Sequence, residues 1–122
     1  MKAASYKDLI VWQKGMELSK RVHGLTRGFP RDEKFGLDSQ MRRAAVSIPS
    51  NVAEGQARHT TKEFVQFLSH AEGSLAELDT QLILGIDFGY CAAQEAAGAL
   101  SLTSELKRML NALRRKLGER TS

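Results

Sequence analysis

Apolar residues recur at helical spacing in four stretches of this chain, separated by three short breaks. In the first stretch, about residues 7–27, Val11, Leu18, Val22 and Leu25 fall on one stripe. Leu9, Trp12 and Met16 widen it into the broad face of a core helix. Gly28-Phe29-Pro30 ends it, because proline and the residue before it disfavour helix. In the second, about residues 31–57, Leu37, Met41, Ala44, Ile48 and Val52 are spaced 4, 3, 4 and 4. Asp32 and Glu33 stand in its first turn, where carboxylates complement the helix dipole. Pro49 interrupts the pattern chemically but not in phase, which predicts one helix kinked at Pro49 rather than two helices.

The third stretch, about residues 61–88, opens on a Thr60/Glu63 capping box. Phe64, Phe67, Leu68, Ala71, Leu75, Leu78, Leu82 and Ile86 supply its core face, and Gly89 is placed to stop it. The fourth, about residues 92–117, carries Leu102, Leu106, Met109 and Leu113, broadened by Leu110 and Leu117, with Gly118 as its stop. No run alternates as a strand does, and no internal repeat appears. Long helices joined by short links predict an all-α fold, an antiparallel up-down four-helix bundle. At 122 residues, positions 1–122 form one domain with one core.

Polar residues run beside the core stripes. Ser47, Asn51, Glu54 and Arg58 are spaced 4, 3 and 4 next to Ala44, Ile48, Val52 and Gly55. On the third helix Ser74 and Gln81 share a seam with Phe67, Ala71, Leu78 and Gly85, flanked by Glu77. An antiparallel pair turning near His59 brings Ser47 level with Ser74 and Arg43 level with Glu77. A polar seam in a bundle is costly unless its groups find partners. Its simplest role is a network that fixes helix register and repairs the bonds lost at Pro49; a subunit contact is the competing reading.

Charge adds a second theme. The net charge is +4, with an isoelectric point near 9.5. Residues 61–90 hold one basic side chain, Lys62, against five acidic ones; residues 1–30 hold six basic and two acidic, and residues 91–122 six and three. An acidic helix thus lies among basic neighbours, an asymmetry suited to compensation within a bundle or between subunits, or to a polyanion-binding face. Basic residues cluster at Arg42-Arg43, at Arg58 with Lys62, and at Arg114-Arg115. Such groups contact phosphates without reading sequence.

Candidate chemistry is sparse. None of His23, His59 and His70 stands three residues after a glutamate, as di-iron bundles require. None follows an arginine at the spacing that helical ribonucleases use. Gly85, Gly89 and Gly98 lack the spacing of a phosphate loop. The reading is therefore a non-enzyme with no catalytic residue, metal, cofactor or small-molecule substrate. The lone Cys91 and the absence of an apolar leader or membrane span suit a cytoplasmic setting.

Three motifs in order carry a family resemblance: Tyr6-Lys7-Asp8-Leu9-Ile10-Val11-Trp12-Gln13; Ser47-Ile48-Pro49-Ser50-Asn51-Val52-Ala53-Glu54-Gly55; and Lys62-Glu63-Phe64-Val65-Gln66-Phe67-Leu68 with Gly73 to Leu82 behind it. Together they resemble the 23S rRNA intervening-sequence proteins, bacterial four-helix bundles. The resemblance implies a homo-oligomeric ring, a pentamer, with a role in binding RNA or ribosomal components. A related branch binds nucleic acid in diversity-generating retroelements. It maps Pro49, Asn51, Glu54, Gly55, Arg58, Phe67, Ser74, Glu77 and Gln81 as characteristic positions, which suit shape and assembly. The expected function is RNA or DNA binding through Arg42, Arg43, Arg58, Lys62, Arg114 and Arg115, with Ser47, Pro49, Asn51, Glu54, Gly55, Ser74, Glu77 and Gln81 as the assembly seam. The alternative is a protein-interaction scaffold with no nucleic-acid partner.

Overall fold

A computed structural model describes residues 5–30 and 36–119. Its four helices are α1 (Ile10–Thr26), α2 (Leu37–Gln56), α3 (Thr61–Asp87) and α4 (Ala93–Glu119), with no strand among the described residues. Each helix packs on its chain neighbours and α1 also packs on α4, so the bundle closes and α2 and α4 stand diagonally apart.

Helix ends follow local chemistry. Residues Tyr6–Asp8 form a 3-10 turn in which Ser5 Oγ accepts from the Lys7 amide at 3.2 Å. Leu9 is extended, so the α-helix begins at Ile10 rather than at residue 7. α2 begins at Leu37 with Gly36 as its cap. The helical reading of residues 31–35, including Asp32 and Glu33, lies outside the described residues. Thr60 Oγ1 accepts from the Glu63 amide at 3.1 Å, and its hydroxyl donates back to Glu63 Oε1 at 3.1 Å. Gly89 adopts φ +77°, and the Tyr90 and Gly89 amides bond back to Gly85 O and Ile86 O, a glycine-dependent helix stop. Gly118 differs from expectation: α4 runs through it to Glu119. A second cap was not anticipated from sequence, with Glu95 Oε1 accepting from the Ala92 amide at 2.7 Å ahead of α4.

The apolar stripes meet in one core. Leu18, Val22, Met41, Ile48, Val52, Leu68, Leu75, Leu78, Leu82, Leu106 and Leu110 are fully buried. On α4 Leu106 and Leu110 are fully buried, while Met109 and Leu113 are half-buried at the margin. Phe29, read from sequence only as part of a break, is buried and caps one end of the core. Its ring lies 5.4 Å from that of Tyr90. α2 remains a single helix through Pro49. Pro49 is buried against α1, where a Cβ on Gly15 would sit 3.4 Å from the proline ring. A mid-helix glycine costs about 1 kcal/mol relative to alanine; here it lets two backbones approach.

Candidate nucleic-acid interface and polar seam

The α2–α3 seam forms where the antiparallel register places it. Ser47 Oγ and Ser74 Oγ share a hydrogen bond, as the turn near His59 predicts. Ser47 Oγ also lies 3.2 Å from Ala44 O. A hydroxyl has one proton, so when Ser47 donates to Ala44 O, Ser74 is the donor across the helices. Asn51 Nδ2 donates to Ser47 O at 2.7 Å. The seam does not repair the helix at Pro49: the carbonyl deprived there is Ala45 O, and these side chains bond Ala44 O and Ser47 O instead.

The remaining seam positions separate. Pro49 lies about 200° around α2 from Ser47 at about 100° per residue, so it faces α1 and is no part of the α2–α3 polar line. Gly55 does face α3, but in an apolar contact: an added Cβ would lie 2.7 Å from Phe67 Cβ and 2.8 Å from Phe64 Cδ1. Glu54 is exposed and pairs with Arg58 at 3.7 Å. Glu77 is exposed and accepts from Gln81 Nε2 at 3.3 Å, so the level partner Arg43 makes no ion pair with it. Gln81 is buried, and its Oε1 has no hydrogen-bond donor.

The six basic candidates divide in the same way. Arg42 turns toward α1, where its Nε donates to the buried Thr26 Oγ1 at 2.8 Å. Arg58 is held by Glu54 and lies over the Phe67 ring at 4.7 Å. Arg114 is tied to Glu72 of α3, which also accepts from Asn111 Nδ2 at 3.4 Å. The hydrogen bond that Arg114 donates to Glu72 and then the negative charge of Glu72 raise the Arg114 pKa above the ordinary arginine value. Arg43, Lys62 and Arg115 are exposed and free of ion pairs among the described residues. Arg42 and Arg43 border an open groove with Val46, Ser47, Asn51 and Glu54. Arg58 borders another with His59 and Glu63. Arg114 and Arg115 stand on α4, diagonally across the bundle, so the six do not make one surface.

Among the described residues no three His, Cys, Asp or Glu side chains gather as a metal-binding group, and no helix is long and apolar enough to cross a membrane. Burial and then the charge of Glu95 push the Cys91 thiol pKa up, which disfavours the nucleophilic thiolate.

Comparison with known proteins agrees with this architecture. The family model described as 23S rRNA-intervening sequence protein matches residues 7–112. A crystal structure from Bacteroides thetaiotaomicron, described as a protein of unknown function from the S23 ribosomal protein family, shares the fold. Its TM-score is 0.80 at 21% identity, covering 87% of this chain and 96% of that one. No curated protein matches.

Proposed function

The chain belongs to the 23S rRNA-intervening sequence protein family, and from that premise we propose that it is a cytoplasmic, non-enzymatic, homo-oligomeric bundle that binds RNA or another nucleic acid. The observation that carries the reading is a net charge of +4 on a helical surface whose exposed cations Arg43, Lys62 and Arg115 form no ion pair among the described residues. Phosphate contact by such groups is sequence-blind and falls steeply with salt. Assembly has its own support on α3. Leu84 and Phe88, one turn apart, are 37% and 57% exposed, and the same helix holds the exposed acids Glu77 and Asp87. An apolar patch with charges at its rim suits a contact with another copy, a ring requiring one face to meet a different one.

The test is retention of a generic RNA at low ionic strength, with affinity falling as salt rises. No retention at any salt concentration removes the nucleic-acid reading and leaves the protein-interaction scaffold, for which Leu84 and Phe88 are the supporting observation. Sedimentation of the free protein as a monomer at micromolar concentration removes the assembly.

A further inference from the structure

The outer face of α4 carries a run of exposed cations. Ser101, Ser104, Arg108 and Arg115, spaced 3, 4 and 7, are exposed along it, and exposed Lys107 and Lys116 flank them. Between Leu106 and Gly118 the helix carries no acidic residue. No ion pair among the described residues involves Lys107, Arg108, Arg115 or Lys116; Arg108 Nη1 donates to Ser104 Oγ at 2.9 Å within the same face. Of the cations elsewhere, Lys14 pairs with Glu105, Arg21 with Glu17 and Arg58 with Glu54, and Arg114 of α4 pairs with Glu72, whereas the exposed Arg43 and Lys62 form no ion pair among the described residues but stand on separate helices.

The face also lacks what a protein partner needs. Among the described residues the exposed large apolar ones are Ile10, Val46, Ile83, Leu84 and Phe88, none of them on α4. Protein interfaces centre on apolar and aromatic residues and are depleted in charge at that centre. A phosphate backbone calls for the reverse, a dense set of cations with small neutral donors between them. α4 also carries no aromatic residue, so bases have no platform to stack on. Arg108 and Arg115 are separated by about 10 Å at about 1.5 Å per residue, room for successive phosphates along one strand.

We infer that the outer face of α4 is the surface on which this protein holds a nucleic-acid phosphate backbone, with Lys107, Arg108, Arg115 and Lys116 as the phosphate contacts. The inference rests on the nucleic-acid reading above, keeps Arg115 from the sequence-based set, and leaves out Arg42, Arg43, Arg58, Lys62 and Arg114.

The test compares three full-length proteins titrated with a labelled single-stranded uridine oligonucleotide across a salt series. They are the unaltered chain, Lys107→Gln/Arg108→Gln/Arg115→Gln, and the charge-matched Arg43→Gln/Arg58→Gln/Lys62→Gln. All replaced residues are exposed, and helicity by circular dichroism confirms folding. The α4 variant is expected to bind at least tenfold more weakly at low salt. Its log–log salt slope should be shallower by about 2, since each lost single-strand contact removes about 0.7. The α2–α3 variant should bind more strongly than the α4 variant. If the unaltered chain binds no RNA, the nucleic-acid reading itself falls. If it binds and the α4 variant matches it, or both variants weaken equally, the α4 assignment is overturned while nucleic-acid binding stands. An α4 variant that changes sedimentation relative to the unaltered chain also overturns it, because the face then serves assembly.

Discussion

Gly55→Ala tests a close α2–α3 approach in the bundle. Gly55 is buried in the last turn of α2, and a Cβ there would stand 2.7 Å from Phe67 Cβ, 2.8 Å from Phe64 Cδ1 and 3.4 Å from Phe64 O. Phe67 Cβ is fixed to the α3 backbone, so rotating a side chain does not relieve the contact; the two helices must part. Forcing a methyl into a packed site typically costs about 1–3 kcal/mol. Against this, alanine gains up to about 1 kcal/mol of helix propensity, less near a helix end. The net expectation is a loss of about 1–2 kcal/mol. With about 2.1 cal/mol/K of unfolding entropy per residue over 122 residues, each kcal/mol moves Tm by about 4 °C, so the melt should fall by about 4–8 °C. The control is Gly73→Ala in α3, where an added Cβ meets nothing within 4 Å. It should raise Tm by about 2–4 °C from propensity alone. Melts by circular dichroism at one protein concentration compare the two, since assembly couples to stability. A Gly55→Ala protein that melts as high as Gly73→Ala would refute the argument that this glycine exists for helix contact.

Other consequences follow from the seam and the core. Gln81→Met removes a buried oxygen without a donor and should be neutral or stabilising by up to about 1 kcal/mol; a loss above about 2 kcal/mol in denaturant titration would show that Oε1 is satisfied. A double-mutant cycle of Ser47→Ala and Ser74→Ala should give a coupling of about 0.5–1.5 kcal/mol, and additive single effects would dismiss the cross-helix hydrogen bond. Cys91, with its pKa raised by burial and then by Glu95, should alkylate with iodoacetamide more slowly than a free thiol at neutral pH. Because its folded pKa lies above the unfolded one, the stability it contributes is full below the ordinary thiol pKa and is lost as pH rises through the folded value. Cys91→Ala should flatten that alkaline decline, and an unchanged slope would assign it to another group.

Much of the fold was legible because a helix repeats its geometry. Leu18, Val22, Met41, Ile48, Val52, Leu75 and Leu82 were readable as core from spacing alone, and all are fully buried. Thr60 and Gly89 were readable as cap and stop because each acts through its own backbone neighbourhood. The Ser47–Ser74 partnership was readable too, since two in-phase helices joined by a short turn leave little freedom of register. Gly118 misled because a glycine allows a helix to end without requiring it.

Periodicity, caps and charge blocks are properties of residues a few positions apart, so the chain alone determined four amphipathic helices, their antiparallel order and the α2–α3 register. What residues far apart in sequence do to one another was settled only when the bundle closed. Closure turned Pro49 toward Gly15 instead of into the polar seam and set Gly55 against Phe64 and Phe67. It left Gln81 Oε1 without a donor, and it joined Arg114 to Glu72 across 42 residues of sequence. Whether an arginine is a free cation depends on which carboxylate the neighbouring helix brings within reach. For that reason the sequence could count the basic residues, and only the packed helices could show that Arg114 is tied while Arg115, the next residue, forms no ion pair among the described residues.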